Sequence, residues 1–310
     1  MTRRPLAAAA AAVFVALLCA APFTLSTYGV DVLDSVGIYA LLALSLNLIL
    51  GEAGLYDMGH AAFFAVGAYA TAILTTRLGL PLLATLPAAA LAAGLFAALV
   101  ALPVLRLRGD YLLVVTVGLG EIVRIALVND PGGWTGGANG IFGIPRPVLL
   151  GARLRTPGQL YWLIWGAVAL SVVVFRRLSA SRFGRQLRAL AEDEVAAEGS
   201  GVDTARARLV AFVLGSAWAG MAGTLFAAKM TVVSPESFGF WESVLVFAMV
   251  LLGGAGSIPG VLLGAFLVAG LPELFRGLAG ARMLVFGLAL VAMMVFRPQG
   301  LWPRRAGGAT

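Results

Sequence analysis

The strongest constraint on this chain is a series of apolar stretches, most near the length that crosses a bilayer, repeated from one end to the other. They lie near residues 5–25, 32–50, 59–76, 82–103, 110–128, 159–175, 209–228, 241–253, 258–275 and 281–296. No polar stretch between them is long enough to fold alone. With 60% hydrophobic and 12% charged residues, the 310-residue chain has too little charge to cover a soluble domain of its size. In lipid every backbone polar group needs a partner inside the protein, so such stretches fold as helices. The expectation is an all-α integral membrane protein, a polytopic helical bundle of about ten segments, some short or broken. Residues 1–310 would form a single transmembrane domain.

The net charge of +7 comes almost entirely from arginine. These residues sit between apolar stretches and not along one stripe, which fits loop charges that set topology and argues against nucleic acid as a partner. Arg3 and Arg4, Arg106 and Arg108, the group Arg176, Arg177, Arg182, Arg185 and Arg188, and finally Arg297, Arg304 and Arg305 all fall on one side of a ten-crossing chain. That side is expected to be cytoplasmic and to carry both termini. Arg146, Arg153 and Arg155 are exceptions in a longer outer loop, where the rule is weaker. The first stretch, Pro5 to about Leu25, follows two arginines as a signal peptide would, yet is long enough to span; an uncleaved helix is the preferred reading. The lone cysteine, Cys19, and the lone histidine, His60, exclude an internal disulfide and any cysteine- or histidine-rich metal site.

Two loops stand apart. The outer one, about 129–158, contains WTGGANGIFGIP, whose glycines and prolines favour turns. The inner one, about 176–208, carries both signs of charge, and Arg182–Glu198 reads as one amphipathic helix ended by Gly199, Ser200 and Gly201. Two glycine-rich junctions, GEAGLYDMGH at 51–60 and GGAGSIPG at 253–260, interrupt apolar sequence. They suit either ordinary tight turns at the membrane face or discontinuous helices bordering a transport pathway.

No phosphate-binding GxxxxGK[ST], HExxH or GxSxG motif is present, and the single lysine, Lys229, lies in AAKM, which argues against a membrane enzyme. Charges inside apolar stretches are the remaining candidates for function. Glu121 and Arg124 share a face of the fifth stretch and suit a pathway lining or an ion pair that fixes packing. Asn47 could line a pore or bridge two helices. Glu242 opens the eighth stretch at its outer end, where the helix dipole alone accounts for a carboxylate. His60 reads as a hydrogen-bonded structural residue. Gly67, Ala68, Gly215, Gly220, Gly223, Gly260 and Gly264 would let helices approach closely.

Seven stretches, taken in order, resemble the LivM-type permease of branched-chain amino acid ABC importers. They are GEAGLYDMGHAAFFAVGAYATAIL (51–74), RLRGDYLLVVTVGLGEIVRIALVN (106–129), TGGANGIFGIP (135–145), RFGRQLRALAEDEVAAEGSGVD (182–203), AFVLGSAWAGMAGTLFA (211–227), LLGGAGSIPGVLLGA (251–265) and VFRPQGLWP (295–303). The resemblance implies a bacterial cytoplasmic-membrane subunit paired with a LivH-like permease. Two ABC ATPase subunits would bind ATP and magnesium, this chain would hold no cofactor, and a solute-binding protein would deliver substrate from outside. It also implies that residues 182–203 are the segment coupled to the ATPase, with Arg185, Arg188, Asp193, Ala196, Ala197 and Gly201 as contacts. Tyr56, Asp57 and Val261 depart from the family pattern. The family also takes urea and short amides, and an ion-coupled secondary transporter using Glu121 is the rival reading.

Overall fold

The computed structural model describes residues 16–105, 107, 109–149, 152–154, 156–274, 287, 291, 295–297 and 300–303. The expected helix at 281–296 lies largely outside these residues, as do Arg3, Arg4, Arg106, Arg108, Arg155, Arg304 and Arg305 and most of the first apolar stretch.

After a helical stretch at 16–24, the helices are α1 (Thr27–Asn47), α2 (His60–Thr76), α3 (Thr85–Val104), α4 (Asp110–Asn129), α5 (Pro157–Ala180) and α6 (Arg182–Glu192). They continue with α7 (Glu194–Gly199), α8 (Thr204–Met230), α9 (Phe240–Gly253), α10 (Ile258–Ala265) and α11 (Leu271–Leu274). A wider π-helical turn, Leu48–Glu52, prolongs α1, and a second, Phe266–Gly270, joins α10 to α11. Among the described residues six helices are long and apolar enough to cross a membrane, and two shorter apolar ones, His60–Thr76 and Ile258–Gly270, accompany them.

Helix starts follow local chemistry. Ser26 caps α1 through Gly29 N, Thr156 and Gln159 form a capping box ahead of Pro157 on α5, and Ser257 caps α10. The expected single helix over Arg182–Glu198 is instead two. Asp193 is extended, and its carboxylate accepts from Ala196 N at 3.0 Å, ending α6 and capping α7 in one residue. The outer loop is not all turns: Ile141–Phe142 (β1) and Val148–Leu149 (β2) are short strands, as are Ala152–Arg153 (β3) and Val232–Val233 (β4). Strand β1 pairs antiparallel with β4, with Ile141 opposite Val233, and β2 pairs antiparallel with β3.

The core gathers around α8, which packs against α1, α2 and α3. A Cβ on Gly67 would lie 2.2 Å from the Gly220 carbonyl oxygen, so the backbones of α2 and α8 touch where both residues lack a side chain. One turn on, Thr71 and Thr224 hydroxyls bond at 2.7 Å across the same seam. Phe64, Phe226 and Phe238 close the seam with edge-on ring contacts.

Candidate functional site

The chain between α1 and α2 turns at Ala53 and Gly54, where Gly54 packs on Ala191. It runs back inside without helical structure, and α2 starts where it meets α4. A Cβ on Gly59 would lie 2.1 Å from the Thr116 carbonyl oxygen, and one on Gly120 would lie 3.5 Å from Gly59 Cα. Thr116 and Gly120 flank the middle of α4, so the break sits near half-depth of that span. Unwound backbone at such a depth needs donors and acceptors from the protein, and the neighbours supply them. The Thr116 hydroxyl accepts from Met58 N at 3.1 Å, Ser243 Oγ from Ala61 N at 3.0 Å and Asp57 Oδ1 from Gly59 N at 3.0 Å. His60, fully buried, lies between Asp57 Oδ2 (2.9 Å from Nδ1) and Ser45 Oγ (2.8 Å from Nε2). The carboxylate holds the ring by its Nδ1 side, leaving Nε2 for α1.

A second junction closes beneath the first. Asn47 Oδ1 accepts from Gly256 N at 2.8 Å, and a Cβ on Gly51 would lie 2.2 Å from that same nitrogen. The two glycine-rich interruptions, about 200 residues apart in the chain, are therefore one contact. The segment 300–303 packs on the second of them: Leu301 N donates to Leu252 O at 2.9 Å and Trp302 N to Gly253 O at 3.1 Å.

This contact is tied to the polar helices. Glu52, in the turn that prolongs α1, is buried, accepts from the Ser179 hydroxyl and pairs with Arg188 Nη1 at 3.4 Å. Arg188 also donates to Ser179 O at 2.8 Å, and Ala191 of α6 packs on Gly54. Helix α7 is held to α8 by Arg208–Glu194 at 2.6 Å and by the Thr204 hydroxyl donating to Glu198 at 2.7 Å. Arg176, Arg188, Glu52 and the start of α10 border a cleft of about 410 Å³ at this end of the bundle. Helix α6 is thus bonded to the turn that prolongs α1, and α7 to the start of α8.

A family model described as "Branched-chain amino acid transport system / permease component" matches residues 28–296. The chain is 43% identical to the high-affinity branched-chain amino acid transport system permease protein LivM of Escherichia coli K12, over 93% of this chain and 74% of that one. It is 28% identical to BraD of Pseudomonas aeruginosa over 86% and 92% of the two chains, and 27% identical to LivH of Escherichia coli K12 over 76% and 80%. The chain belongs to the branched-chain amino acid transport permease family. No solved structure matches it. Likeness to both LivM and LivH marks it as one of a pair of related permeases, and its apolar helices make it a multi-pass membrane protein.

In this permease the four intramembrane residues singled out from sequence do not form one cluster. Glu121 and Arg124 pair on α4, with Arg124 Nε 2.9 Å from Glu121 Oε1, and Arg124 Nη1 reaches Glu236 at 3.8 Å. Glu242 lies in the first turn of α9. Its neighbour Ser243 accepts from Ala61 N at the start of α2, and its own carboxylate takes the Tyr39 hydroxyl. Asn47 ties the end of α1 to the turn between α9 and α10. Of the six residues that the resemblance implies as ATPase contacts, Arg185, Asp193, Ala196 and Gly201 are exposed, whereas Ala197 is buried and Arg188 turns inward to Glu52. Sequence reasoning missed Glu52 as a link and took Asp57 for an incidental departure. Both are carboxylates within glycine-rich, apolar surroundings, and that expense was their signal.

Proposed function

We propose that this chain is the membrane-spanning permease half of an ABC importer for branched-chain amino acids, working by alternating access beside a LivH-like partner. Two separate ATPase subunits bind ATP and magnesium, and this chain holds neither. A solute-binding protein delivers substrate at the end opposite α6 and α7. The chain is a subunit of a bacterial cytoplasmic membrane, with the α6–α7 end and both termini cytoplasmic.

The bonded path from α6 through Arg188 and Glu52 to the Asn47–Gly256 contact carries this reading. Closure of the ATPase pair pushes on Arg185, Asp193, Val195, Ala196 and Gly201, which are exposed. A rigid pair of short helices transmits that push to the unwound segment between α1 and α2, where backbone can rearrange without melting a long helix. The part-exposed Glu121–Arg124 pair faces the partner permease and lines the route between them, since lipid is a poor neighbour for charge at that depth.

The test is co-purification of the permease pair with its cognate ATPase subunits, for the wild type and for Arg185→Glu with Val195→Glu. Both side chains are exposed, so the fold is left intact. ATPase retained by the wild type and lost by the variant is the expected result. A well-folded permease pair that never associates with ATPase overturns the importer reading.

A further inference from the structure

At the opposite end of α1 lies a small cavity of about 90 Å³ that the family assignment does not explain. It is bordered by Asp31, Asp34, Arg146, Thr156, Leu160 and Lys229, from α1, the outer loop, α5 and α8. Lys229 is 6% exposed and fully engaged: its ammonium bonds Asp31 O at 2.6 Å and the Ser35 hydroxyl, and lies 3.3 Å from Asp31 Oδ2. Asp34 is different. It is 0% exposed, and neither carboxylate oxygen has a hydrogen-bond partner among the described residues.

A buried carboxylate without a partner is costly, and an ionised one can only accept hydrogen bonds. What it lacks is a donor, and a positively charged donor offsets the burial most. The cavity has room for such a group, since a single water needs only roughly 10–15 Å³. Its wall sets these charged side chains beside apolar ones such as Leu154, Leu160 and Ala228, as a small zwitterion with an aliphatic side chain requires.

We propose that Asp34 receives the α-ammonium group of the transported amino acid at the end of the bundle opposite α6 and α7. The proposal rests on the importer reading and narrows its substrate. An uncharged solute such as urea or a short amide brings N–H donors but no charge, so Asp34 selects amino acids over amides. An inorganic cation shares the required charge and is the alternative source.

The full importer, reconstituted in proteoliposomes with its ATPases and binding protein, is assayed for leucine uptake in sodium and in choline buffers. Asp34→Asn keeps the shape and removes the charge, and is expected to lower kcat/KM for leucine by roughly tenfold or more, the scale of a lost charged hydrogen bond. If Asp34→Asn does not assemble, Asp34→Glu serves: its carboxylate is displaced by one methylene, so KM for leucine rises while kcat is kept. Unchanged leucine kinetics in an assembled Asp34→Asn, or an unchanged KM in Asp34→Glu, overturns the proposal. So does wild-type uptake that requires sodium and loses that requirement in Asp34→Asn, which gives the site to the inorganic cation. A wild type that assembles but moves no branched-chain amino acid removes the importer reading itself, and this site with it.

Discussion

Helix α1 with its π turn and helix α4 are almost equally apolar, with mean hydropathies of 1.9 and 2.0, yet 78% of the first span's apolar stretch is buried and only 11% of the second's. Hydropathy measures fitness for a bilayer and does not tell core from rim. The polar residues tell them apart. On α1, Ser45, Asn47 and Glu52 are all buried and all bonded to distant segments. On α4, Glu121 and Arg124 bond each other three residues apart, while Tyr111, Val114, Val115, Ile122 and Ile125 lie exposed around them. A central helix spends its polar groups on holding other segments in place. A peripheral helix pairs its buried-depth charges with each other first, holds one neighbouring segment through Thr116, and leaves an apolar face exposed.

The largest effect should come from breaking the α1 side. Arg188→Glu places a second carboxylate beside buried Glu52. Removing one partner of a buried pair costs about 3–5 kcal/mol, and because Arg188 is 28% exposed the lower end of that range applies. Thermal unfolding in detergent should fall accordingly, and leucine uptake should be lost even where ATPase still binds. Uptake at the wild-type rate would show that the Glu52–Arg188 link transmits nothing.

A pair of glycine replacements sharpens the comparison at a smaller scale. Gly51→Ala pushes a methyl to 2.2 Å from Gly256 N and 2.3 Å from Asn47 Oδ1, so it should destabilise by about 1–3 kcal/mol. Gly118→Ala on α4 meets nothing within 4 Å and should stabilise by about 0.5–1 kcal/mol. Equal melting shifts for the two would contradict the assignment of core and rim. Glu121→Gln should then move the isolated chain's stability by less than about 1 kcal/mol, as a part-exposed pair does. The same variant should weaken retention of the LivH-like partner on a sizing column, and unchanged retention would place the partner elsewhere.

Much of this was legible in the apolar pattern. The stretches near 59–76, 82–103 and 110–128 match α2, α3 and α4 to within a few residues, because length and a low share of charge suffice to fix an apolar helix. The seams of small residues were legible too, since Gly67 and Gly220 meet as such residues must. The meeting of the two glycine junctions was not, because Asn47 and Gly256 are joined only by folding. Strands of two residues have no periodicity to read. The division of α6 from α7 lay in one capping aspartate, Asp193, inside a stretch whose amphipathic pattern runs on without interruption. Asp34 carries the plainest signal of all, a charge inside an apolar stretch, but only burial and missing partners give it meaning.

The smallest effect separates the two helices by pH. Helix α1 runs on into its π turn, whereas α4 ends at Asp130, which adopts a left-handed backbone at φ 48°. The Asp130 carboxylate accepts from Thr135 N at 2.6 Å and from the Thr135 hydroxyl at 2.9 Å, folding the glycine-rich loop back over the helix end. These bonds to the ionised form hold its pKa below the ordinary 3.8. A group whose folded pKa is depressed adds stability that is present above its unfolded pKa and lost as pH falls through the folded one. The wild type should therefore lose a small increment of melting temperature as pH drops below about 4, and Asp130→Asn should lack that increment at every pH. The difference between the two melting curves should narrow toward low pH, because only the wild type has a charge there to lose. A constant gap from pH 6 to pH 3 would mean that the loop is held by its shape and not by this carboxylate.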